Sequence, residues 1–259
     1  MTAAGNRAPA GYAHFALGGS EIVALAPLAG SIRDAMREGS LYEYAAHHAQ
    51  GRPIAGRGVA FAVPLPDGET RAVIRRSRHG GLLAPLTGER FLVPTRAPRE
   101  LNVSLRLTRC GIPTPDVIAY ATYPAGMLLR RADVATREVP GGRDLGALLT
   151  DGPGDAGKRE ALEAVALLVA RLTETGVRHP DLNVKNILLA RDENEELVAW
   201  LLDVDRVWFD DPGAHRVTDR NLRRLGRSAR KWRDGRGAAI DEGDLLWLAG
   251  AVAAHLDEA

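Results

Sequence analysis

A single break, Val139-Pro140-Gly141-Gly142, divides this chain into two textures and constrains its fold more than any other feature. Proline lacks the N–H that a helix interior or central strand needs, and paired glycines favour a turn. Before the break, short β-like runs alternate with turn residues. Val59–Leu65 and Thr70–Arg75 flank Pro66-Asp67-Gly68-Glu69, and an Asp-Gly between apolar runs predicts a hairpin. Arg76–Thr95 is punctuated by glycine and proline and reads as a loop. A helix is expected from Pro98, with Leu101 and Leu105 on one face and Gly111 just past its end. Strands are expected over Asp116–Thr122 and Met127–Thr136. After the break the texture turns helical. A short helix over Asp144–Leu149 precedes a long one over Lys158–Thr175, where Leu162, Val165, Val169 and Leu172 recur at helical spacing and Gly176 marks the stop. Short strands at Ile187–Leu189 and Leu197–Leu202 are followed by a basic helix and an apolar one over Asp241–Leu256. This pattern predicts an α+β fold of two lobes, residues 56–139 strand-rich and 140–259 helical. Residues 1–55 form an Ala/Gly-rich extension with one helix around Ile32–His48 and no assignable role.

The 259 residues suit one bilobed unit or two modest domains. Cys110 is the only cysteine, so neither a disulfide nor a cysteine-based zinc site can be built, and a reducing compartment fits. The N-terminus lacks a continuous apolar core of the signal-peptide kind. The most apolar runs, Ala164–Ala170 and Leu245–Ala254, fall short of the roughly 18 residues a membrane span needs. A soluble or peripheral protein of the cytosol is expected. Gly152–Lys158 matches the opening of a phosphate-binding P-loop, but Arg159 stands where a Ser or Thr should hold magnesium, and a helix rather than a strand precedes it. A linker between two helices accounts for it better. No serine lies in G-x-S-x-G, and only His47-His48 are close together, which disfavours a hydrolase and a histidine metal site.

The sharp signal is His179-Pro180-Asp181-Leu182-Asn183-Val184-Lys185-Asn186. It has the spacing H-x-D-L-x-x-x-N of a kinase catalytic loop. That chemistry needs an aspartate to orient and deprotonate an acceptor hydroxyl, and an asparagine five residues on to hold a metal against the phosphates. Asp181 and Asn186 fill those places. Asp203 ends the apolar run Val198–Leu202 and suits a second magnesium ligand. The first lobe adds weaker pieces. Gly56 and Gly58 precede a strand as a fragment of a glycine-rich loop. Val73-Ile74-Arg75 has the shape of the nucleotide-binding strand, with Arg75 where a lysine is usual. Of 34 basic residues only Lys158, Lys185 and Lys231 are lysines, so no lysine precedes residue 158 and some departure is forced. A GC-rich genome explains most of this bias. Arginine still offers phosphate a cation, as a planar fork. Glu100 is the expected anionic partner of Arg75, and the backbone at Arg137 and Val139 could pair with the edge of adenine. A one-residue shift of the strand would substitute Arg76 for Arg75.

These residues together resemble the lipopolysaccharide-modifying sugar kinases, most closely the 3-deoxy-D-manno-octulosonic acid (Kdo) kinases, within the protein-kinase-like superfamily. The resemblance rests on Gly56-Arg57-Gly58, on Val73-Ile74-Arg75 with Gly80-Gly81-Leu82, on His179-x-Asp-Leu-Asn183-x-x-Asn186, and on Leu202-Asp203-Val204-Asp205-Arg206. Asn183 and Asp205 follow the sugar kinases where protein kinases differ. The segment 221–228, Asn-Leu-Arg-Arg-Leu-Gly-Arg-Ser, is similar to a late Arg-Leu-x-Arg-Ser stretch of that family. Val204 departs from the family's Phe and Pro180 from its small residue. The resemblance implies a kinase N-lobe and C-lobe, ATP and Mg²⁺, and phosphorylation of a Kdo hydroxyl on lipid A at the cytoplasmic face of the inner membrane. A kinase of another substrate, protein or aminoglycoside, would share the same metal residues. A pseudokinase binding module would be expected to lose Asp181, Asn186 or Asp203, and all three are present.

Arginines crowd two regions, Arg71–Arg109 and Arg216–Arg236. An anionic partner is the functional reading, either the glycolipid acceptor or an anionic membrane surface to which the protein binds peripherally. Arg223, Arg224 and Arg227 are expected to serve acceptor binding together. Nucleic acid is disfavoured, because the net charge is +1 and aromatic residues make up only 5% of the chain.

Overall fold

The computed structural model describes residues 8–54, 60–77, 91–92, 95–126 and 129–258. Gly56, Gly58 and Gly80-Gly81-Leu82 lie outside the described residues, as do Arg78 and Arg90. The chain groups into two units. One holds residues up to Asn102 together with Asp116–Glu138, the other Val103–Pro115 together with everything from Val139 on.

The first unit is built on an antiparallel sheet of β1 (Tyr12–Leu17), β2 (Ser20–Leu25), β3 (Arg52–Ile54), β4 (Ala60–Pro64), β5 (Arg71–Arg76), β6 (Phe91–Leu92), β7 (Val117–Pro124) and β8 (Leu129–Arg137). Its order is β1-β2-β7-β8-β5-β4-β3, with β6 also on β8. The expected hairpin joins β4 to β5. Leu65 N–H donates to the Thr70 carbonyl, Asp67 Oδ1 accepts from Glu69 and Thr70, and Gly68 takes φ +76°. An Asx-type turn with a left-handed glycine is what Asp-Gly supplies. Successive residues of β5 alternate sides, so Ala72 and Ile74 enter the core while Arg75 turns the other way.

The segment before Gly56 differs from its sequence reading. It contributes three strands, β1, β2 and β3, and the single helix expected over Ile32–His48 is two, α1 (Ala29–Ala35) and α2 (Leu41–His47). The interruption has a local cause. Ser40 begins a capping box: its hydroxyl accepts from Glu43 N–H, and the Glu43 carboxylate accepts from Ser40 N–H. Two more first-turn donors of α2 are met from the sheet, Leu41 N–H by the Tyr123 hydroxyl and Tyr42 N–H by Asp133. A fresh helix start with its donors satisfied is more stable than a run carried through Gly39-Ser40. Ile32, Leu41 and Ala45 then pack with Ile22, Val63, Ile74 and Ile118 in one core.

Helix α3 (Ala97–Arg109) closes at Gly111, which takes φ +70°. In the second unit β9 (Arg143–Asp144) leads into α4 (Leu145–Thr150), capped by Asp144, and the central α5 (Gly154–Glu174) follows. Leu162, Val165, Val169 and Leu172 are all at most 1% exposed, as the stripe predicts. Each such burial is worth about 1.5–3 kcal/mol. Gly154–Lys158 forms the first turn of α5 directly after α4, so no P-loop exists there. Lys158 instead bonds Asp244 at 3.0 Å on α7 (Glu242–Asp257). The remaining elements are β10 (Val177–Arg178), the hairpin β11 (Ile187–Arg191) and β12 (Leu197–Leu201), β13 (Trp208–Phe209) and α6 (His215–Arg236). Strand β9 adds to the β11–β12 pair, and β10 pairs with β13. Leu225, Leu248 and Val252 complete the core around α5.

Candidate active site

The loop His179–Asn186 leaves β10 and enters β11. It has few backbone partners of its own, so side chains hold it. His179 is 1% exposed and works from both ring nitrogens. Its Nδ1 accepts from Asp181 N–H at 3.2 Å, which leaves the proton on Nε2, 3.1 Å from the Leu202 carbonyl. Burial pushes this imidazole below its ordinary range. The Leu202 bond and the carboxylates of Asp203, Asp181 and Asp205 oppose that shift. A buried neutral imidazole that donates one bond and accepts another is a brace rather than a metal ligand. It ties Asp181 to the end of β12, where Asp203 follows.

The asparagines complete the turn. Asn183 spends both ends of its amide locally, donating to the Asp181 carbonyl at 2.8 Å and accepting from Lys185 N–H at 2.9 Å. Asn186 Nδ2 also donates to the Asp181 carbonyl, at 2.9 Å. The Asn186 carbonyl accepts from Leu202 N–H at 2.9 Å, so the loop and the residue before Asp203 are joined by backbone as well. Asp203 stands directly before a short 3₁₀ turn over Val204–Arg206 and takes φ +56°, ψ +49°. A non-glycine residue in that region costs about 1–2 kcal/mol, and Asp is among the few that tolerate it.

Three polar side chains of α6 reach the same loop. Asn221 is fully buried; it accepts from His179 N–H at 3.1 Å and donates to the Val177 carbonyl at 2.9 Å. Arg224 donates to Asp181 Oδ1. Ser228 Oγ accepts from Val184 N–H at 3.3 Å. Sequence reading misses these three roles and assigns Arg224 to the basic face instead. A signal was present in residues 221–228, since positions 221, 224 and 228 share a helix face.

In the first unit Arg75 Nη2 meets Glu100 Oε1 at 2.5 Å, and Glu100 is buried. Arg76 turns to the opposite face, where its Nε lies 3.6 Å from Asp133 and its guanidinium stacks on Tyr42. The Arg75–Glu100 pairing is therefore the one present. Val73 sits beside Thr136 of β8. The N–H of Arg137 donates to the Asp116 carbonyl and that of Glu138 to Arg71. The Val139 carbonyl accepts from Gly142 N–H at 3.2 Å, which turns the chain at the expected break.

Among the described residues, no group of three or more His, Cys, Asp or Glu side chains could hold a metal ion. Asn186 and Asp203 nevertheless carry oxygen donors of the kind magnesium takes. With Nδ2 spent on the Asp181 carbonyl, the amide's other face is Oδ1, and Asp203 adds carboxylate oxygens. Magnesium takes hard oxygen ligands and is held by one or two protein groups plus phosphates. No described helix is long and apolar enough to cross a membrane.

Known proteins resemble this chain over most of its length. A family model described as lipopolysaccharide kinase (Kdo/WaaP) family matches residues 55–241. A protein of Xanthomonas oryzae pv. oryzae named 3-deoxy-D-manno-octulosonic acid kinase is 34% identical over 200 residues, 74% of this chain and 76% of its own. One of Vibrio parahaemolyticus with the same name is 31% identical over 180 residues, 68% of this chain and 71% of its own. A solved structure described as WaaP in complex with acyl carrier protein aligns with a TM-score of 0.56 at 19% identity, covering 90% of this chain and 88% of that one. The last is a likeness of fold, and it agrees with the kinase-like α+β architecture expected from the sequence.

Proposed function

Because the chain belongs to the lipopolysaccharide kinase (Kdo/WaaP) family, we propose that it transfers the γ-phosphate of ATP to a hydroxyl of a Kdo sugar on lipid A, in lipopolysaccharide core biosynthesis. The observation that carries the reading is the His179–Asn186 loop. Its aspartate and asparagine are bound to one another through the Asp181 carbonyl, and His179 ties both to the approach to Asp203.

Asp181 receives the proton of the acceptor hydroxyl and aims that oxygen at phosphorus. In phosphoryl transfer the protein mainly positions groups and stabilises charge, so a fixed carboxylate matters more than a strong base. Asn186 and Asp203 would hold magnesium, which would neutralise phosphate charge when bound. Arg75 offers a cation to the α- and β-phosphates, and Glu100 fixes its direction from behind. Gly56 and Gly58 belong to the loop expected near the phosphates. Adenine is read by backbone at Val139 and by the carbonyl of Arg137, whose N–H is already spent on Asp116. The protein acts peripherally on the cytoplasmic face of the inner membrane, where exposed arginines favour an anionic glycolipid surface.

The test is phosphotransfer from labelled ATP offered Kdo–lipid A, a generic protein substrate and an aminoglycoside. Label should enter Kdo–lipid A alone, and only with magnesium present. Labelling of protein or aminoglycoside in its place overturns the reading.

A further inference from the structure

We infer that Arg224 is a positioning residue for phosphotransfer, fixing the direction of the Asp181 carboxylate; the inference rests on Asp181 being the group that receives the acceptor proton. The loop backbone is held many times over, by His179, Asn183, Asn186, Asn221 and Ser228. Those bonds hold the Asp181 main chain, and none of them reaches its carboxylate. Arg224 bonds the carboxylate itself, from the same face of α6 that carries Asn221 and Ser228. The pair is partly buried, with Asp181 17% and Arg224 26% exposed at the side chain. Arginine presents its donors in a rigid planar fork, so it sets the orientation of the oxygen it holds as well as its distance.

The alternative, that the pair merely stabilises the fold, is poorly supported by its setting. Partly exposed ion pairs contribute little, and more buried ones must offset the loss of hydration. Asn221 and Ser228 already join α6 to the loop at two other points without using charge. Direction is what a guanidinium adds. A misplacement of about 1 Å in a reacting group can cost on the order of 10²-fold in rate, and a swing of the carboxylate moves its oxygens by at least that much.

The experiment is a double-mutant cycle with kinetics on Kdo–lipid A. Arg224→Ala should lower kcat by about 10- to 100-fold, with the KM for ATP changed less than about twofold and the melting temperature near that of the wild type. Arg224→Lys should recover part of the rate, because it restores the charge without the fork. Arg191→Ala, which likewise breaks an exposed ion pair, the one with Glu160, should leave kcat unchanged. In an Asp181→Asn background, Arg224→Ala should cost almost nothing further, since the group it positions is gone. A slow Asp181→Asn enzyme with a wild-type-like Arg224→Ala enzyme overturns the inference alone. So does an Arg224→Ala effect that persists undiminished in the Asp181→Asn background, or that Arg191→Ala reproduces. Wild-type turnover in Asp181→Asn removes the assignment of the base beneath it.

Discussion

Asp203 adopts a backbone that its own local preference disfavours. Its left-handed backbone suits glycine better, so Asp203→Gly should keep stability within about 1 kcal/mol of the wild type while losing magnesium-dependent ATP binding. Thermal unfolding and nucleotide titration, run side by side, check that split. Asp181→Asn should cost on the order of 10²-fold or more in turnover with the fold intact, read by steady-state kinetics and circular dichroism. His179 gives a pH dependence. The unfolded imidazole takes up a proton near pH 6.5 and the buried one only lower, so below about pH 6.5 the unfolded state holds more protons. Stability should therefore fall between pH 7 and pH 5, and the ring should titrate below its ordinary midpoint by NMR. Asp181, Asn186 and Asp203 stood out in the sequence as candidates because the proposed chemistry demands fixed types at fixed spacing. It left Arg224 among many arginines, because composition cannot tell a side chain that reaches a carboxylate from one that faces water. Asn221 was hidden for the same reason; its role is visible only once α6 is seen to lie along the loop.

At the scale of elements, periodicity read the second unit well. The apolar stripe of α5 and its glycine stop required no tertiary information. The stop itself is exacting: a Cβ at Gly176 would lie 2.2 Å from the Asp210 carbonyl oxygen, and φ there is +69°. Gly176→Ala should destabilise by about 2–4 kcal/mol, combining the left-handed penalty with overpacking against backbone that has no side chain to swing aside. Gly146→Ala should cost about 1–3 kcal/mol, since its Cβ would meet the Trp232 ring at 2.7 Å. Chemical denaturation measures both. The strands β1 and β2 were not legible. Tyr12–Leu25 mixes alanine and glycine with few β-branched residues, and only the pairing of β1 with β2 and of β2 with β7 makes strands of it. The break in the helical run at Gly39-Ser40 was similarly quiet, because a capping box competes with helix continuation only where the sheet supplies the other partners.

For the molecule as a whole, charge is mostly settled locally. Arg216 meets Asp211, Arg223 meets Asp219, and Arg230 and Arg233 share Glu242. The basic stretch over α6 is thus less of a bare cationic face than a count of arginines suggests. Neutralising Arg223 with Arg227, and sparing Arg224, should raise the acceptor KM and leave the ATP KM nearly constant. Added salt should imitate the change, as exposed charges are screened over about 8–10 Å at physiological ionic strength. Acceptor kinetics indifferent to both would count against an anionic glycolipid. The pairing of β2 with β7 carries a practical consequence. The family match runs from residue 55 to 241, yet a chain trimmed to that stretch would strip β1 and β2 from β7 and α7 from α5. It would bare a row of unpaired backbone amides beside Ile118 and Ala121, the kind of edge on which chains template one another into aggregates. Expressed alone, the recognisable core of this protein should be recovered as insoluble material, and restoring residues 8–54 and 242–258 should return it to solution.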